Sequence, residues 1–207
     1  MSDGAVSVAG EAEQDAPLVC GWYGKLPAVG DFALRRLPTP MVERCDAWLS
    51  NGLAASQRAL GSDWLDLYLT APIWRFAWWP GIAGETAWMG VLMPSVDRVG
   101  RYFPLLLAAP CPAGIDSAAD RPAPGNEGTL DWLDRLADTA QDCLQPGASL
   151  DSFEAALAAD PRPATASPLW SAAPPGHSLW WTDRTHRHDW PGLPDGTAFA
   201  ALLQGDG

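Results

Sequence analysis

With 207 residues, 47% of them hydrophobic, the chain can bury a sizeable core, and one domain of ordinary size is the natural reading. Thirteen Lys and Arg stand against 25 Asp and Glu, a net charge of −12, which argues against nucleic acid and anionic membrane surfaces as partners because both require basic patches. The imbalance is concentrated after residue 104, so a charged partner touching the C-terminal half should be basic there, with a solvated acidic face as the plainer alternative. Twelve Trp against three Tyr and five Phe predict a core rich in indoles, whose area is too large to leave in water. The four cysteines, Cys20, Cys45, Cys111 and Cys143, form no Cys-x-x-Cys pair and have no zinc-like spacing to a histidine. There is no secretory leader pattern and no apolar run of 18 residues. The expectation is a cytoplasmic protein with reduced thiols and no direct membrane insertion.

In chain order, residues 1–16 are small, polar and acidic and are expected to be a disordered tail preceding one domain over 17–207. Residues 18–24 suit a first strand. Gly24, Pro27, Gly30 and Asp31 then punctuate a loop before a short strand over 32–37. The Gly24-Lys25 dipeptide is not a Walker A loop, because Val19 and Leu26 occupy the places of the required Gly and Ser or Thr. Thr39-Pro40 predicts a helix start over 40–60, with Val42, Cys45, Leu49 and Leu53 at spacings of three and four. Ser62 can cap a shorter helix reaching Leu69. Residues 73–79 read as a strand with Ile73, Arg75, Ala77 and Trp79 on one face and Trp74, Phe76 and Trp78 on the other.

Residues 88–93 and 103–109 read as two buried strands, both apolar without alternation, separated by a loop that gathers nearly all of the segment's charge. Pro94 ends the first strand, Gly100 permits a positive φ, and Asp97, Arg98 and Arg101 lie between them. Such charges either brace the turn among themselves or present a fixed polar surface to a partner.

Four blocks carry a resemblance: Gly-Lys-Leu-Pro-Ala-Val-Gly-Asp-Phe (24–32), Ala-Pro-Ile-Trp-Arg-Phe (71–76), Gly-Val-Leu-Met-Pro-Ser-Val-Asp-Arg-Val-Gly-Arg-Tyr-Phe-Pro-Leu (90–105) and Ser-Leu-Trp-Trp-Thr (178–182). Together and in this order they resemble the TagF family, also called ImpM, of type VI secretion-associated proteins. The resemblance implies a single cytoplasmic α/β domain without established enzymatic activity. It further implies post-translational repression of the secretion machine through association with its forkhead-associated (Fha) scaffold protein, opposite a Ser/Thr kinase and phosphatase pathway. Some members are fused to a phosphatase domain, for which this sequence has no room.

Residues 111–128, rich in Pro, Gly, Ala and Asp, read as a loop. A helix over 130–144 follows, capped by Thr129, with Leu133, Leu136, Ala137, Ala140 and Leu144 inward and Asp134, Asp138 and Asp142 on its outer side. The acidic stripe mildly disfavours the isolated helix, leaving a contact surface or simple solvation as its readings. A short helix fits 150–159, a strand 178–182 around Trp180-Trp181, and a last strand 197–203.

The whole predicts an α/β fold: a single domain with a central, mostly mixed sheet flanked by helices. His177, His186 and His188, with Asp183 and Asp189, have metal-ligand residue types, but Arg184 and Arg187 lie among them and the segment reads as an exposed loop, so no metal or other cofactor is expected. Ser95 lacks a nucleophile elbow, and no catalytic residue is assigned. The candidate polar site is Asp97, Arg98 and Arg101 together with Lys25 and Asp31. On one reading Asp97 caps the turn and pairs with Arg98 to brace the loop; on the other the arginines face a partner, since Arg suits planar recognition of carboxylates or phosphates. A non-enzymatic regulatory binding module is thus the first functional reading. A small-molecule or nucleotide-binding α/β domain with weak hydrolase activity is the alternative, disfavoured by the lack of a phosphate loop or dinucleotide fingerprint.

Overall fold

The computed structural model describes residues 18–111, 127–163, 174–183 and 187–205. The expected tail, most of the loop after Cys111 and His186 lie outside them. Gly21–Gly24 (β1) and Ala33–Arg35 (β2) form a first antiparallel hairpin. The expected strand start at residue 18 is reduced to an isolated bridge between Leu18 and Arg162.

Thr39–Leu60 forms the long helix α1, with Met41, Cys45, Trp48, Leu49 and Leu53 buried along one side, as their spacing requires. Its first turn takes in both Thr39 and Pro40, so Pro38 occupies the cap position and the Thr39 hydroxyl makes no cap bond. A 3-10 turn at Gly61–Asp63 leads into α2, Trp64–Thr70. Three strands follow: β3 (Trp74–Trp78), β4 (Trp88–Met93) and β5 (Leu105–Pro110). Then come α3 (Glu127–Asp142), α4 (Leu150–Ala159), β6 (His177–Trp181), β7 (His188–Pro191) and α5 (Gly196–Gln204). Ser149 caps α4 through a reciprocal capping box with Ser152, satisfying two otherwise orphaned N–H groups.

The strands form one sheet in the order β2-β1-β5-β4-β3-β6-β7. Every neighbouring pair is antiparallel, which corrects the expectation of a mixed sheet. Hairpins join β1 to β2, β3 to β4, β4 to β5 and β6 to β7, and a short connection between adjacent strands can only reverse the chain. Both faces are nonetheless covered. Against one lie α3 and α4, burying Trp22, Met89, Val91, Leu107, Trp132, Leu133, Phe153 and Trp181. Against the other lie α1, α2 and α5, burying Trp48, Trp64, Tyr68, Trp74, Phe76, Trp78, Leu106, Trp180 and Phe199. A sheet buried on both sides needs apolar residues on both sides, which is why β4 and β5 show no alternation.

Three further expectations fail. Residues 197–203 are helical, not a strand: Phe199, Leu202 and Leu203 fall on one buried face, and Gly205, with φ 77°, closes the last turn. The seventh strand comes instead from residues 188–191, expected as a loop; as an edge strand it tolerates Pro191, whose missing N–H need not pair. Leu144, expected inward, is 37% exposed, because α3 ends at Asp142 and the turn beyond it buries Cys143 instead. Among the described residues no helix is long and apolar enough to cross a membrane.

Candidate functional site

The loop joining β4 to β5 lies against the loop joining β1 to β2. Gly24 makes the approach possible: its φ is 139°, and a Cβ there would overlap the Pro104 carbonyl oxygen. Backbone bonds register the loops, with the Arg98 N–H donating to the Val29 carbonyl at 3.0 Å and the Asp97 N–H to the Arg101 carbonyl at 3.1 Å. The Ser95 hydroxyl donates to the Lys25 carbonyl at 2.7 Å. From α2, the Tyr68 hydroxyl donates to the Ser95 carbonyl at 2.8 Å and accepts from its N–H at 3.0 Å, tying the loop to the helix beneath.

Asp97 is the hub of this arrangement. Its Oδ1 accepts the Val99 and Arg101 N–H groups at 3.0 and 2.9 Å. Its Oδ2 accepts Lys25 Nζ at 2.5 Å and Arg101 Nε at 2.7 Å. Burial alone would raise the Asp97 carboxyl, but these donors overcome it and hold the group well below the ordinary carboxylate range. Lys25 is itself buried, and its ammonium also lies 4.4 Å from the centre of the Phe32 ring. Phe32 in turn packs edge-on against Phe103 at 4.7 Å and stacks with Tyr23. The lysine of the rejected phosphate-loop dipeptide is therefore turned inward as a brace.

The two arginines differ in what they touch. Arg101 braces, its Nη2 donating to the Gly30 carbonyl at 2.6 Å and lying 3.6 Å from Asp31 Oδ1. The expected Asp97 to Arg98 pair does not form. Both carboxylate oxygens of Asp97 are occupied by Lys25, Arg101 and backbone donors, and Arg98 is exposed. The Arg98 guanidinium lies over Gly30, where a Cβ would stand 3.3 Å from Nη2. Asp31 is exposed, its carboxylate accepting the Phe32 N–H at 2.8 Å.

The other candidates lie apart from this site. Asp134 pairs with Arg75 of β3 at 2.9 Å, and so fastens α3 to the sheet, whereas Asp138 and Asp142 are exposed. His177 Nδ1 lies 3.0 Å from Asp189 across the β6 and β7 edge, and His188 packs against Trp74 and Trp190. Among the described residues no group of three or more His, Cys, Asp or Glu could hold a metal ion. Sequence reasoning did not connect Tyr68 to the loop, nor Glu154 to its partners: this carboxylate accepts the Trp22 indole N–H at 2.5 Å and pairs with Arg36 at 2.6 Å. Those contacts span more than 100 residues of sequence and leave no local pattern.

Fold and site together define a three-layer α/β domain in which a polar hub rigidifies two adjacent loops. A family model described as the TagF N-terminal domain, type VI secretion system-associated, matches residues 21–159, more than half of the chain, and this protein belongs to that family. Its fold is similar to the crystal structure, at 2.05 Å resolution, of PA0076 from Pseudomonas aeruginosa PAO1, with a TM-score of 0.73 and 37% identity. That similarity covers 91% of this chain and 95% of the Pseudomonas chain. No curated protein matches.

Proposed function

We propose that this protein represses a type VI secretion system post-translationally, as a non-enzymatic cytoplasmic module that binds the system's forkhead-associated scaffold protein stoichiometrically and reversibly. Membership of a type VI secretion-associated family is the observation that carries the reading. The site supports it: the Asp97 carboxylate, the Lys25 ammonium and the Ser95 hydroxyl are all engaged in holding loops in place. A carboxylate accepting four hydrogen bonds is a poor base, since each bond stabilises its ionised form. A rigid loop surface suits recognition, because less conformational entropy is lost on binding. An interface of ~1,200–2,000 Å² is expected for such a complex.

Gene dosage tests the proposal. Deleting the gene should raise secretion of the system's substrates. Raising the protein's level should lower secretion in proportion, because a sequestering module must match its target in number. Secretion unmoved by overexpression contradicts repression, and full repression by trace amounts contradicts stoichiometric binding.

A further inference from the structure

Helix α2 carries more apolar surface than the fold uses. In its sequence, Trp-Leu-Asp-Leu-Tyr-Leu-Thr, only Asp66 and Thr70 are neither aliphatic nor aromatic. One side is committed to the core. Trp64 and Tyr68 are buried there and stack at 5.1 Å, the Trp64 N–H donates to the Ser56 hydroxyl at 2.9 Å, and the Tyr68 hydroxyl is held by the Ser95 backbone. The outer side is bare. Leu65 is 38% exposed and Leu69 is 55% exposed, and their spacing of four makes them neighbours on successive turns. A helix that is apolar all round is the pattern of one covered on every side, and this chain covers only one side of α2. The charge beside the two leucines is negative. Asp66 precedes Leu69 by three residues and follows Asp63 by three, so the helical repeat sets both carboxylates alongside the apolar pair. Both aspartates are exposed, and neither has an ion-pair partner among the described residues.

We propose that the outer side of α2, Leu65 and Leu69 flanked by Asp63 and Asp66, docks a basic amphipathic segment of a partner protein. The apolar side chains of that segment cover the leucines, and its Lys or Arg groups meet the aspartates. Covering Leu65 and Leu69 takes water from the carboxylates beside them, which is costly unless cations replace it, so a neutral or acidic segment does not fit. The net charge of −12 adds to the attraction for a basic segment and opposes a second copy of this chain, nucleic acid and anionic lipid alike. The inference goes beyond the repressor reading and stands whichever protein supplies the segment.

Site-specific photocross-linking in cells that make the secretion system tests it. A benzoylphenylalanine replaces Leu69, with the same group at the exposed Asp138 on α3 as the control position. The expected result is a discrete protein adduct from position 69, cross-linked at a peptide that carries Lys or Arg, and absent from position 138. Asp66→Lys in the same protein should cut the adduct roughly tenfold, because it sets like charges against one another. Asp66→Asn, which removes the attraction without adding repulsion, should cut it less. Asp66→Lys should melt with the parent; should it not, Leu65→Ser, scored for folding in the same way, leaves both carboxylates in place and carries the same test. No adduct from position 69, an adduct undiminished by the substitution, a cross-linked peptide without basic residues, or an adduct to a second copy, RNA or lipid overturns the docking surface. A partner that is basic at the cross-link and sensitive to Asp66→Lys but has no forkhead-associated domain upholds the surface and assigns it to a protein other than the scaffold.

Discussion

At the scale of single residues, Asp97 and Arg98 sit side by side in sequence and do opposite work. Asp97 is buried under four donors, whereas Arg98 is exposed. Arg98→Ala should therefore change stability by less than about 0.5 kcal/mol, as for an ordinary surface position. Asp97→Asn should lower the melting temperature visibly in the same assay, since an amide cannot accept from Lys25 and Arg101 as a carboxylate does. Equal melting of the two variants would contradict the hub. The pH dependence follows from the same geometry. The folded Asp97 carboxyl binds its proton more weakly than the unfolded one, so its stabilising effect is fully present above the unfolded pKa of about 4 and is lost as pH falls through and below that value. Glu154 acts with the same sign: burial raises it, but Arg36 and the Trp22 N–H outweigh burial and lower it. Melting should fall on acidification below about pH 4, and Asp97→Asn should flatten that fall. The role of Asp97 as a turn cap was legible because Val99 and Arg101 are its chain neighbours. Lys25 was not legible as its partner, because 72 residues separate them and only the sheet order brings β1 beside β5.

At the scale of elements, what was legible depended on length and on alternation. The 22 residues of α1 repeat their apolar spacing over many turns and leave no ambiguity. The nine residues of α5 do not: Thr-Ala-Phe-Ala-Ala-Leu-Leu reads equally as a buried strand, and Ala and Leu, the strongest helix formers, decide it once Gly205 closes the end. In β7 the sequence His-Asp-Trp-Pro gave no strand signal, because an edge strand half in solvent needs little apolar character. The contact between α1 and α5 offers a test of the corrected helix. Gly52 faces Phe199, and a Cβ there would overlap the ring. In an isolated helix Gly→Ala gains ~1 kcal/mol. Here Gly52→Ala should lower the melting temperature, and Phe199→Leu should recover part of the loss. A stabilised Gly52→Ala would mean that α5 does not lie where the structure has it.

At the scale of the whole molecule, an antiparallel sheet with helices on both faces explains why so many indoles are internal. Trp48 joins the layers: it touches Trp78, Trp180 and Phe199, and its N–H donates to the Pro194 carbonyl at 2.7 Å. Trp48→Ala should cost ~3–5 kcal/mol in denaturant unfolding. Trp88 is equally buried, yet its N–H finds no hydrogen-bond acceptor among the described residues. Replacing it by Phe removes an orphaned donor, so Trp88→Phe should cost less than Trp48→Phe, which strands the Pro194 carbonyl. The composition foretold buried indoles but not their layer, since that depends on which helix covers which face. The proposed function would use this architecture as a rigid carrier of surface, and its most direct measurement is a calorimetric titration of the purified protein into the purified forkhead-associated scaffold of the same secretion system. The account requires saturable, reversible binding at a fixed ratio near one chain per scaffold, without turnover of any substrate. Absence of heat and of a co-migrating complex at concentrations reaching those in the cell would contradict it.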